Sequence, residues 1–298
     1  VSNMGGSLTP LGDPPLFLGF LKGIDFFWTL KSIFPETLFV CGALLIIFYF
    51  LDRHYYKIGN EERPAWQDPT PDSALRLEGK VNFFLLAAII GAVLMSGFWK
   101  SGVSFSVLGA HVNLQNAVRD VLLLVVTLIS LAVTPRTARL GNDFSWGPMQ
   151  EVAKLFAAIF ITIIPVIAML RAGEAGVFSA LVRAVTDSDG QPINAMYFWA
   201  TGFLSAFLDN APTYLVFFNI AGGDVQQLMT TLGATLAAVS CGAVFMGAGS
   251  YIGNAPNMMV KAIAEDRGIK MPSFFGYMAW SVGILVPLFA LTTVIFFR

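Results

Sequence analysis

The sequence predicts an all-α polytopic membrane protein whose spans are not all continuous, and three observations carry that expectation. Hydrophobic residues make up 56% of the 298 and charged residues only 12%, about half the charge of a soluble domain. Apolar runs near membrane length, for which about 20 residues suffice, recur along the chain. One of them, uncharged from Leu228 to Val260, carries in its middle Ser250-Tyr251-Ile252-Gly253-Asn254-Ala255-Pro256-Asn257, where Gly253 and Pro256 keep a single helix from running through. Two half-helices with irregular backbone between them are therefore expected. Such a break survives at membrane depth only where protein or a wet cavity satisfies its peptide groups.

Taken in order, the chain opens on Val1-Ser2-Asn3-Met4-Gly5-Gly6-Ser7-Leu8-Thr9-Pro10-Leu11-Gly12-Asp13-Pro14-Pro15 and then an apolar stretch, Leu16 to Leu21. Gly12-Asp13-Pro14-Pro15 falls on Gly253-Asn254-Ala255-Pro256, and an apolar half-helix follows the proline each time, which reads as an internal repeat. Pro14 and Pro256 mark helix starts, where the missing amide hydrogen would be unpaired anyway. With no signal peptide or first span ahead of Val1, the chain reads as the carboxyl-terminal part of a longer protein.

Residues 1–51 are expected to be the remnant of a first repeat, ending in a span from about Ile33 to Leu51. A polar linker, 52–80, follows, with Arg53, Lys57, Arg63 and Arg76 among prolines. Residues 81–298 form a second repeat. It comprises spans at about Val81–Trp99, Asn116–Thr134 and Met149–Leu170, an interfacial piece Glu174–Val185, a re-entrant hairpin 194–223, a broken helix 225–266 and a last span 273–297. The hairpin is inferred because each limb around Asp209-Asn210-Ala211-Pro212-Thr213 has only about 15 residues, too few to cross comfortably. The basic loops 52–80 and 135–148, with Lys261, Arg267 and Lys270, define a cytoplasmic side by the positive-inside rule. Lys100 and the carboxyl terminus then lie outside.

Polar residues inside such runs need a reason. Asp209 sits between two uncharged limbs, where an acid without a partner or cavity costs several kcal/mol; its plainer role is to cap the limb that begins near Pro212. Asn210, Thr213, Ser250, Gly253, Asn254 and Asn257 offer neutral oxygens suited to a hard cation, or serve as turn caps. Asp13 is the acidic counterpart of Asn254. Burial favours the protonated carboxyl and a nearby cation favours the ionised one, so Asp13 and Asp209 are expected to be places where protons and sodium compete. Glu151 and Lys154, one helical turn apart, form an interfacial pair or a proton relay.

Other classes lose support. A net charge of −1 without a basic cluster gives no reason for nucleic acid. Cys41 and Cys241 sit in apolar runs as small hydrophobes, and His54 and His111 have no neighbouring ligand set. No phosphate loop, nucleophile elbow or paired Cys and His occurs, so neither an enzyme nor a bound cofactor is expected. Broken helices whose ends face an ion or substrate point instead to a secondary transporter.

Three segments carry a family likeness: Ser2-Asn3-Met4-Gly5-Gly6 with Thr9-Pro10-Leu11-Gly12-Asp13-Pro14-Pro15, Ser205 to Thr213, and Gly249 to Asn257. Together they resemble the ion-transporter superfamily of NhaD-type sodium:proton antiporters, citrate transporters, arsenite permeases and divalent anion:sodium symporters. The resemblance covers the whole chain and leans to the antiporter and citrate-transporter-like branch. It implies an inverted-repeat transporter of the cytoplasmic membrane. One cation site would be built from Asp209, Asn210, Thr213, Ser250, Gly253 and Asn254, and half of another from Ser2, Asn3, Thr9, Gly12 and Asp13. Sodium is then a transported or coupling ion, lipid and small cations or carboxylates are the partners, and a homodimer is compatible. Exchange of sodium or lithium for protons is the first expectation, coupled uptake of citrate or a similar carboxylate the second, and a non-transporting scaffold the third.

Overall fold

The apolar runs become helices and most breakers fall between them, although Pro165 and Pro287 each lie inside a long helix. In a computed structural model, residues 1–58, 79–107, 110–142, 144–171, 175–266 and 268–298 are described. They fall into two units, one of residues 1–60 with 156–298 and one of residues 61–155.

The larger unit begins with a helical turn α1 (Ser2–Gly5), a 3-10 turn Gly6–Leu8, and helices α2 (Pro14–Lys22), α3 (Trp28–Ser32) and α4 (Phe34–Ile58). Gly23 ends α2 with φ 112°, a left-handed conformation that a side chain disfavours. Helix α4 outruns its expected end at Leu51 by seven residues. Asp52 to Ile58 hold no breaker, so the helix continues to Ile58, and the start of the expected linker is helical. The remainder of that linker, with Arg63 and Arg76, lies outside the described residues.

Helix α8 (Gly147–Arg171) leads into this unit, followed by α9 (Ser179–Val185), α10 (Asn194–Phe207), α11 (Asn210–Ile220), α12 (Val225–Met229) and α13 (Gly233–Met246). A second 3-10 turn, Gly247–Gly249, precedes α14 (Ala255–Asp266) and α15 (Phe274–Phe296). Of the expected interfacial piece, α9 is the helical part, while Glu174 lies outside the described residues. The run taken as one limb from Val225 is divided at Thr230, the residue after α12, whose backbone leaves the helical region.

Helices α10 and α13 are the centre of the unit. A Cβ placed on Gly242 would lie 2.5 Å from the carbonyl oxygen of Phe198, and one on Gly202 would strike the side chain of Met246. Small residues thus bring the two helices together backbone to backbone, the contact that substitutes for a hydrophobic drive between helices in lipid. Around them Tyr197, Phe198, Tyr214, Phe217, Phe218, Leu236 and Phe245 are almost wholly buried.

In the smaller unit α5 (Val81–Phe98) packs on α6 (Leu114–Val133). Asn82 accepts hydrogen bonds from Ser130 and Thr134 at 3.3 and 3.0 Å, and Arg139 of the short helix α7 (Arg136–Gly141) donates to the carbonyls of Ser130 and Leu131 near the end of α6. Between α5 and α6 the chain forms an antiparallel hairpin, β1 (Ser104–Val107) with β2 (Ala110–Asn113), in the register Ser104↔Asn113. The span-and-loop reading did not anticipate these strands.

Among the described residues four helices, α4, α5, α6 and α15, are long and apolar enough to cross a membrane. They turn large apolar side chains outward: Phe48, Phe84, Leu124, Leu128 and Phe275 are each at least 60% exposed. Water would not tolerate such surfaces on a monomer, whereas lipid suits them. The chain is a multi-pass α-helical membrane protein.

Candidate functional site

The two sequence breaks fold alike. Gly6–Leu8 and Gly247–Gly249 are both 3-10 turns, each followed by an extended residue, Thr9 or Ser250. A helix then starts at Pro14 or at Ala255. All these pairs share one offset, 241 residues, the separation of Asp13 and Asn254. Inside each break two glycines nearly touch. A Cβ on Gly253 would lie 2.6 Å from the carbonyl oxygen of Gly247, and a Cβ on Gly6 would lie 2.7 Å from that of Gly12. Glycine is required there because backbone meets backbone.

The breaks and the α10–α11 junction meet at one carboxylate. Asn210, at the start of α11, donates through Nδ2 to Asp13 Oδ1 at 2.7 Å. Asn254, from the second break, donates to Asp13 Oδ2 at 3.2 Å. Asp13, Asn210 and Asn254 are all buried, Asn210 completely. Asn210 Oδ1 is buried without a hydrogen-bond partner among the described residues. Since such orphans are rare, this oxygen beside a carboxylate is suited to accept from a ligand. The ion pairs among the described residues are Arg119–Asp120 and Lys261–Glu265, and neither involves Asp13. An oxygen-rich, anionic cluster without a basic partner can hold a hard monovalent cation or a proton.

Surrounding residues hold the breaks in shape. Ser250 is buried, donates to the carbonyl of Ala206, and accepts from the amides of Ile252 and Gly253 at 3.2 and 3.1 Å. Asn257 donates to the carbonyls of Gly247 and Ser250, both at 2.9 Å, and accepts from Asn3 at 3.2 Å. Thr29 donates to Leu8 O at 3.0 Å, and Ser7 and Thr37 share a buried hydroxyl contact of 2.6 Å.

The expected site residues take different places. Asn210, Asn254 and Asp13 come together; Ser250, Gly253, Gly12, Asn3 and Asn257 build the breaks around them, and Thr9 is the extended residue of the first. Ser2 is exposed on α1. Asp209 is half-buried, and its carboxylate caps α11 by accepting from the Ala211 amide at 3.1 Å, while Thr213 donates back to the Asp209 carbonyl at 2.9 Å. Cap and ligand differ by one residue here: Asp209 holds the helix end, and its neighbour Asn210 reaches Asp13. Lys154 is exposed on α8, while the side chain of Glu151, and with it the suggested pair, lies outside the described residues.

One residue escaped the sequence reading. Glu36 is buried in the first turn of α4, with its Oε2 unpartnered among the described residues. Its surroundings Phe34-Pro35-Glu36-Thr37 read as an ordinary helix start, where an acid favours the dipole.

The model of a protein family described as "Putative citrate transport" matches residues 1–297. No curated protein and no solved structure is significantly similar to the chain.

Proposed function

The chain belongs to that family, and we propose that it works as a secondary transporter coupling passage of a small carboxylate, citrate by family, to a monovalent cation or a proton. The observation that carries this is the bridge from Asn210 through Asp13 to Asn254. A buried acid that ties two helix breaks and a helix junction together makes their arrangement depend on what the acid binds. Cation or proton on Asp13 would set the junction, and the positive dipole ends of the helices that start at Pro14, Asn210 and Ala255 would favour the carboxylate cargo. In this reading the breaks belong to inverted repeats and α10–α11 is a re-entrant hairpin. The protein sits in the cytoplasmic membrane with Arg136 and Lys270 inside and Lys100 outside.

Sodium:proton exchange is the second reading, favoured because Asp13 forms no ion pair with a basic side chain among the described residues. A site of net negative charge suits a cation alone and repels a polyanion. Proteoliposomes decide between them. Citrate uptake driven by a sodium or proton gradient is expected. Sodium-driven proton movement that needs no citrate would replace the first reading with the second. Absence of both fluxes, in wild type and in Asp13→Asn alike, would leave a non-transporting scaffold.

A further inference from the structure

We infer that Glu36 is a second proton-binding carboxylate, joined to the Asp13 region through the Thr37–Ser7 hydroxyl pair; this rests on the transporter reading above. Glu36 is 8% exposed. Its Oε2 is buried and unpartnered among the described residues. It takes part in neither of the ion pairs among the described residues. An ionised carboxylate so placed would be an uncompensated buried charge, which is strongly destabilising. A proton removes that cost and gives Oε2 a hydrogen to donate.

Its position links it to the transport site. The next residue, Thr37, can donate its hydroxyl hydrogen to Ser7 at 2.6 Å, with Ile33 O at 2.8 Å as the alternative acceptor. Ser7 lies in the 3-10 turn of the first break and donates to Met4 O at 2.6 Å. That break ends at Asp13. A change in charge at Glu36 would therefore act on the first turn of α4 and, through Thr37, on the backbone that presents Asp13.

Few titratable groups surround it. The buried thiol of Cys241 on α13 is the titratable group nearby. Cys41 lies further along α4, its thiol 3.9 Å from the Val1 carbonyl oxygen. Of the elements packed on α4, α3 brings Lys31, which is exposed, α15 brings Tyr277, and α1 with the 3-10 turn brings no ionisable side chain. Among the described residues neither Lys31 nor any other basic side chain forms an ion pair with Glu36.

The experiment is pH-difference infrared spectroscopy on the purified protein, following the carbonyl stretch of protonated carboxyl groups, with proton counting during transport in proteoliposomes. Glu36→Gln should lose one titrating carboxyl band, and Asp13→Asn a different one. Glu36→Gln should also flatten the pH dependence of transport. Glu36→Asp, which keeps the acid, should retain a band even if weaker folding lowers activity. An unchanged band pattern in folded Glu36→Gln overturns the inference whatever the flux shows. A band lost in Glu36→Gln from a protein that moves nothing leaves the proton site standing and sinks the transporter reading instead.

Discussion

The two helix breaks share their turns, their glycine contact and their helix starts, yet one carries an acid where the other carries its amide. Asp13 accepts, and Asn254 donates to it across 241 residues of chain. Two acids facing each other would repel, and two amides would leave no charge for an ion, so the asymmetry lets a repeated backbone build one ligand set. The breaks also differ in support. Asn257 tethers the second break to its own carbonyls, whereas the corresponding position in the first is the apolar Leu16, and that break leans on Thr29 and Thr37 instead.

The largest effect should come from erasing the asymmetry. Asp13→Asn removes the charge and one of the two acceptor oxygens, so that Asn210 or Asn254 faces an amide nitrogen instead, and bonds to charged groups contribute about 1.5–3 kcal/mol each. Sodium or proton binding should fall by at least about tenfold, measured by calorimetry and by coupled flux. Full retention of coupling would show that Asp13 is structural. Next comes the shared glycine contact. Gly253→Ala places a methyl 2.6 Å from Gly247 O and 2.8 Å from Ser205 O, both backbone atoms that cannot swing aside. It should lower stability by about 1–3 kcal/mol, whereas Gly5→Ala, with nothing within 4 Å, serves as a near-neutral control in the same thermal melts.

Much of this was open to sequence reasoning. Gly and Pro inside apolar runs announce breaks through local backbone sterics alone, and spans announce themselves by composition, so both were visible. The partner of Asp13 was not. Whether Asp209 or Asn210 faces it depends on the turn after α10, where one residue must cap α11 and the next faces inward. The burial of Glu36 depends on the packing of α4 against distant segments, and its local sequence is indistinguishable from a solvated helix start. The strands at 104–113 were hidden because they are four residues long and lie between two strong helical signals.

Smaller effects sharpen the contrast in support. Asn257→Ala removes both tethers of the second break and should cost about 1–2 kcal/mol, while Leu16→Ala in the first break should register as lost packing, with its cation affinity kept. If both variants lower cation affinity equally, the breaks are supported alike and the contrast fails. The smallest change is expected at Asp209→Asn, because aspartate and asparagine cap helices about equally well. Stability should stay within about 0.5 kcal/mol, and cation affinity should fall less than in Asp13→Asn. A larger loss at Asp209 would make it the principal binding acid.

The bridge from Asp13 to Asn254 also has a consequence for how the protein is made. At about 5–20 residues per second, a ribosome finishes Asn254 roughly 10–50 s after Asp13. Asn210 arrives only slightly sooner. For most of synthesis the acid has neither of its amide donors, and the first break must wait at the translocon or in water until the last third of the chain emerges. Nascent chains stopped before Asn210 should therefore leave Asp13 open to chemical labelling, and the label should be refused once both asparagines have joined it.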